Sequence, residues 1–143
     1  MPSLTKPLYT AHATAIGGRA GHARTDDGLV DVDLAAPREL GGPGGATNPE
    51  QLFAVGYAAC YQSALGVVAR RAKVDASGSR VAVDVTLGTL EGGAYGLAAA
   101  ITVVIPGVDE ATAQKLADAA DHVCPYSNAT RGNIDVTITA NAG

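Results

Sequence analysis

Only two of the 143 residues are thiols, Cys60 and Cys124. Cys60 falls inside the uncharged, Ala-rich stretch Gln51 to Ala69, whose length and composition predict a helix buried in the core. At a period of 3.6, Phe53, Gly56, Ser63 and Val67 share its face, so the sulfur lies on an apolar stripe with a gap at Gly56. Cys124 sits in His122-Val123-Cys124-Pro125-Tyr126, where the proline stops a helix and biases the cysteine toward extended backbone. Taken alone, Cys60 reads first as a small apolar core residue. Cys124 shifts the weight. A thiol on a rigid element facing a thiol on a mobile segment suits two-step redox chemistry: one sulfur is oxidised to a sulfenic acid, and the other condenses with it to a disulfide.

Such chemistry needs a thiolate. Burial raises a cysteine pKa, and Cys60 lies too far along its helix for the N-terminal dipole to help, so a cation must lie nearby. The seven arginines are Arg19, Arg24, Arg38, Arg70, Arg71, Arg80 and Arg131, and pattern alone selects none of them. A buried arginine needs a carboxylate to hold its fork. Glu50 is a candidate, ten residues before Cys60. That spacing is about 15 Å along the helix axis and roughly 80° around it, too far for direct contact. Glu50 can act only through a long arginine side chain or from the helix of a second subunit; its plain alternative role is to complement the helix dipole.

The elements that must position these groups follow from the pattern. Residues 8–16 and 19–24 read as strands around the Gly17-Gly18 turn, and 29–34 (LVDVDL) as a half-buried strand after Asp26-Asp27-Gly28. Residues 37–47 are a Gly- and Pro-rich loop. Asn48, Pro49 and Gln51 mark the start of the cysteine helix, which is predicted over 49–73 with a basic end at Arg70, Arg71 and Lys73. Residues 80–90 and 95–105 form a hairpin around Glu91-Gly92-Gly93. Asp109 caps a helix over 110–122, and 134–139 (IDVTIT) is the last strand. The order βββ-α-ββ-α-β, with strands in hairpins, predicts one α+β domain over 1–143 with a mainly antiparallel sheet. The first helix is apolar on nearly every face, and a second subunit is expected to cover what one sheet cannot.

Composition narrows the function. Apolar residues make up 47%, charged residues 17% and aromatics 4%, and the net charge is −4. Disorder is excluded. Phosphate-backbone and base-stacking surfaces are disfavoured, so no nucleic-acid partner is expected. Two cysteines are too few for a secreted disulfide scaffold. The opening MPSLTKPLYT has no apolar signal-peptide core, and the polar residues in 51–69 argue against a membrane span, so a cytoplasmic location is expected.

The segments GGPGGATNPEQLFAVGYAAC (41–60) and CPYSNATRGNIDV (124–136) closely resemble the organic hydroperoxide resistance branch of the OsmC/Ohr family, as does the turn with Gly17-Gly18-Arg19 and Gly21-His22. Tyr126 to Arg131 fits this branch rather than the OsmC branch. Tyr61 departs from it, since Phe is expected after the first cysteine. The resemblance spans essentially the whole chain. It implies an OsmC/Ohr-like α+β fold, sheets around a long buried central helix, and an intertwined homodimer with sites at the subunit interface. It implies a thiol peroxidase for organic hydroperoxides, lipid-derived ones included, with Cys60 peroxidatic and Cys124 resolving. Arg19 matches the arginine that stabilises the thiolate, and Glu50 the carboxylate that holds it. The implied reductant is a lipoyl group, as dihydrolipoamide or on a lipoylated protein, with no bound cofactor, metal or flavin required. Phe53, on the face of Cys60, and Tyr126, near Cys124, are candidate pocket residues; each is equally suited to core packing.

Three rivals remain. A zinc site from the cysteines with His12, His22 and His122 lacks any CxxC or HxxxH spacing. A cysteine hydrolase would need His122 to face a thiol from two residues away. A non-catalytic redox sensor, or a binder of hydrophobic ligands using the same cysteine pair, is separated from a peroxidase by turnover.

Overall fold

The computed structural model describes residues 1–143. The chain divides into two compact units, Met1–Pro49 and Glu50–Gly143.

The first unit is an antiparallel sheet of β1 (Ala13–Ile16), β2 (His22–Thr25) and β3 (Asp31–Asp33), in that order. All three strands are shorter than predicted. β1 begins at Ala13 because its ladder partner ends at Thr25, which lies opposite it. β2 begins late because Gly18–Ala20 form a single 3-10 turn. β3 is trimmed by the turn after β2, where the Asp27 carboxylate accepts from the Leu29 N–H and the Thr25 hydroxyl. The 3-10 turn carries Arg19 and is fixed by its glycines. Gly17 has φ 80, and a Cβ on Gly21 would stand 1.8 Å from the Ile16 carbonyl oxygen, so only glycine fits there.

In the second unit α1 (Pro49–Arg71) starts where Asn48-Pro49 predicts and stops two residues short of Lys73. A Schellman turn ends it: the Val74 N–H bonds the Ala69 carbonyl and the Lys73 N–H bonds the Arg70 carbonyl. Lys73 is the one non-glycine residue at positive φ, 58°. Tyr57, Tyr61, Ala64, Leu65, Val68 and Ala69 are buried, a single stripe at intervals of three and four. The opposite face exposes Leu52 and Val55. The helix is long and apolar enough to cross a membrane by length and composition. Its buried stripe instead packs into the core of this unit.

β4 (Arg80–Thr89) and β5 (Tyr95–Val104) form the predicted hairpin, in register from Arg80↔Val104 to Thr89↔Tyr95. β6 (Val136–Asn141) joins the other side of β5 in parallel, with Ile101 opposite Ile138. The architecture is therefore α+β with two small, mainly antiparallel sheets and one parallel pairing. Ala99, Ile101 and Val103 on alternate residues of β5 are buried with the α1 stripe and with Ala113, Leu116, Ala117 and Ala120 of α2 (Glu110–Val123). Asp109 caps α2 as expected, accepting from the Thr112 N–H at 2.6 Å. That bond holds its carboxyl below the usual range.

The sequence pattern shows nothing of α3 (Pro125–Thr130), a helix of six residues directly after Cys124. Pro125 does end α2, but it also occupies the first position of α3, where a missing N–H costs nothing. Cys124 is consequently no mobile loop residue. At φ −64, ψ 120 it closes α2 and opens α3, and it is wholly buried.

Candidate active site

α1 and the elbow between α2 and α3 bring the two thiols together. The Cys60 and Cys124 sulfurs are 3.5 Å apart, although 64 residues separate them in the chain. Both are free thiols, Cys60 half-buried and Cys124 at 0% exposure. Cys60, expected to be buried, is only partly so, and the segment of Cys124, expected to be mobile, holds its cysteine enclosed. The partly open sulfur belongs to the long helix, and the enclosed one to the elbow. Cys60 is partly exposed, whereas Cys124 is enclosed beside it.

Burial raises the Cys60 pKa, and the neighbouring Cys124 thiol raises it further. The backbone N–H of Tyr126 opposes both by donating to the Cys60 sulfur, a bond that favours thiolate. This donor comes from the first turn of α3 and had no sequence signal, because the helix itself had none.

Phe53, Tyr57 and Tyr126 form a continuous aromatic cluster. Phe53 meets Tyr57 edge-on at 5.7 Å between centroids, Tyr126 lies 5.9 Å from Phe53, and Tyr57 lies 5.7 Å from Tyr126. The two candidate pocket residues are therefore brought together. Tyr126 lies across Gly56, where a Cβ would stand 2.9 Å from its hydroxyl; the gap read from the sequence is filled by this ring. Phe53 and Cys60 are both partly buried and packed against the same core cluster.

Tyr57 and Tyr61 spend their hydroxyls inside the core. The Tyr61 hydroxyl donates to the Ala117 carbonyl of α2. The polar atom that distinguishes it from the expected Phe therefore has a partner, and burial pushes its pKa up. The Tyr57 hydroxyl lies 2.9 Å from Ser127 Oγ and 3.1 Å from Thr130 Oγ1, all three side chains buried. Sequence reasoning missed this group. Its one signal was a tyrosine on an apolar stripe, which calls for a partner. On the outside of the elbow, Arg131 bonds the Asp121 carboxylate and carbonyl and the Asn128 side chain.

Arg19 lies in the 3-10 turn of the first unit. Glu50 lies, half-buried, in the first turn of α1 in the second.

Fold and site together define a small α+β protein with two free, apposed thiols. The family model for OsmC-like proteins matches residues 42–139. The organic hydroperoxide resistance protein of Xanthomonas axonopodis pv. citri (strain 306) is 54% identical over 142 residues, covering 97% of this chain and 99% of that protein. The organic hydroperoxide resistance protein OhrB of Bacillus subtilis (strain 168) is 43% identical over 132 residues, covering 92% and 96%. The crystal structure of an organic hydroperoxide resistance protein from Legionella pneumophila superposes with a TM-score of 0.91 at 48% identity, covering 95% of this chain and 99% of that one. The chain belongs to the OsmC/Ohr family, and the names of its relatives support a peroxidase-type role in stress defence.

Proposed function

We propose that this protein is a cysteine peroxidase that reduces organic hydroperoxides, alkyl and lipid-derived, to alcohols. The observation that carries this reading is the pair of free sulfurs at 3.5 Å, one partly exposed and one enclosed. The Cys60 thiolate attacks the distal peroxide oxygen. The O–O bond breaks, the alkoxide takes a proton and leaves as alcohol, and Cys60 becomes a sulfenic acid. The Cys124 sulfur then attacks the Cys60 sulfur, expelling hydroxide that leaves as water, and a disulfide forms. A lipoyl dithiol, free or protein-bound, returns two electrons and restores both thiols.

Arg19 is the cation assigned to this thiolate and to the charge developing on the peroxide oxygens, and Glu50 is assigned to hold its guanidinium. The need for such a cation follows from burial, which lifts the Cys60 pKa. Phe53 and Tyr126 supply an apolar wall that favours organic groups over hydrogen peroxide. The active unit is a homodimer in the cytoplasm. The exposed apolar residues Leu52 and Val55 of α1, and Leu4, Leu8, Tyr9 and Ile16 near the N-terminus, are surfaces suited to a second copy.

Steady-state consumption of cumene hydroperoxide with dihydrolipoamide, against thioredoxin, tests the reading. Many equivalents per subunit are expected with dihydrolipoamide and none in Cys60→Ser. A single equivalent per subunit would mark a sensor, and turnover retained in Cys60→Ser would falsify the assignment.

A further inference from the structure

The two sulfurs are held by more than their own helices. Tyr57 precedes Cys60 by one turn of α1, and Ser127 follows Cys124 by one turn of α3, so both lie near the sulfur-bearing faces. Their hydroxyls meet at 2.9 Å, and Thr130 completes the group at 3.1 Å from Tyr57. Tyr57 is 0%, Ser127 1% and Thr130 7% exposed. Thr130 also donates to the Ser127 carbonyl at 3.2 Å. One proton order satisfies every contact: Ser127 donates to Tyr57, Tyr57 to Thr130, and Thr130 to that carbonyl. This latch fastens the α3 side of the elbow to α1.

From this arrangement we infer that Tyr57 is a positioning residue for the resolving step. Its hydroxyl, through Ser127 and Thr130, keeps the Cys124 sulfur within reach of Cys60, so that the sulfenic acid closes to a disulfide before a second peroxide arrives. The inference rests on the peroxidase reading above. The competing reaction balances simply: Cys60 sulfenic acid takes one oxygen from a second hydroperoxide, giving sulfinic acid and alcohol, with no part for Cys124. What divides the two fates is the rate at which Cys124 presents itself. Tyr57→Phe keeps the ring among Phe53 and Tyr126 and removes only the latch.

The test uses purified full-length protein, cumene hydroperoxide and dihydrolipoamide. Intact mass spectrometry reads the hydroperoxide concentration at which half of Cys60 becomes sulfinic during turnover. Stopped-flow consumption of the first equivalent reads the initial attack. In Tyr57→Phe the half-sulfinic concentration is expected to fall about tenfold, the rate equivalent of ~1.4 kcal/mol, while the first equivalent is consumed within twofold of wild type. Ser127→Ala should shift it in the same direction, and the double variant should add less than twofold to Tyr57→Phe, because the Tyr57–Ser127 contact is already lost there. A merely structural Tyr57 would lower the melting temperature and leave the half-sulfinic concentration where it was. That result in both folded single variants overturns the inference and leaves the peroxidase reading standing. A wild-type protein that stops after one equivalent overturns the peroxidase reading itself.

Discussion

Enclosure of Cys124 sets how slowly it meets any reagent. In Cys60→Ser, where Cys124 is the sole thiol, an alkylating agent can reach this sulfur only after α3 leaves α1. That opening breaks the two buried contacts of Tyr57 with Ser127 and Thr130, each contributing ~1 kcal/mol. It also strains the Arg131–Asp121 pair, 3.0 Å long and partly exposed, which adds ~0.5 kcal/mol. An opening cost of about 2–3 kcal/mol corresponds to a closed-to-open ratio of roughly 30 to 150. Iodoacetamide labelling of native Cys60→Ser should therefore be slower by at least that factor than labelling of the same protein in urea at equal pH. The assay is quenched mass spectrometry over time. Protection of less than about fivefold would refute the claim that Cys124 is sealed by the elbow, and with it the order in which the sulfurs react.

Three other outcomes follow from single features. Arg19→Ala should shift the midpoint of Cys60 alkylation upward by about one to two pH units, read from the rate–pH profile; an unmoved profile removes Arg19 as the activating cation. Lys73→Gly should stabilise the protein by ~0.5–1 kcal/mol, because a side chain at φ 58 strains the turn that ends α1, and the melting temperature should rise by about 2–4 °C. His22 bonds both Asp33 and Asp31, the Asp33 contact being the larger cause of its raised pKa. Its contribution is present in full below the unfolded value near 6.5 and is lost as pH rises through the higher folded value. The melting difference between wild type and His22→Ala should accordingly shrink between pH 5.5 and 9, and the His22 ring protons should titrate above 6.5 by NMR.

Long elements were legible because their signals repeat. The start of α1 at Pro49, the β4–β5 hairpin and the Asp109 cap all rest on residues within a few positions of one another. α3 was illegible for the opposite reason. Six residues span less than two turns, too few for a period of 3.6 to emerge, and a proline that opens a helix looks in sequence like one that ends it. The parallel pairing of β6 with β5 depends on contacts between distant segments and leaves no local trace. For the site, the two cysteines and the gap at Gly56 could be read, whereas the approach of the sulfurs could only be allowed. Cys60 came out only partly buried because helix burial was inferred for a whole stretch, while α1 buries one stripe. Ser127 and Thr130 were read only as part of the Tyr126 to Arg131 segment and Tyr57 not at all, since three hydroxyls scattered over seventy positions meet only in the folded chain.

The sealed position of Cys124 also sets the direction in which an oxidised molecule can be reopened. In the proposed disulfide an incoming thiolate would have the sulfur of Cys60 to strike, and the enclosed sulfur would be the leaving group. Regeneration in the proposed cycle would thereby be one-sided. The transient adduct with the electron donor would hang from the long helix, and the interior thiol would be released without touching that donor.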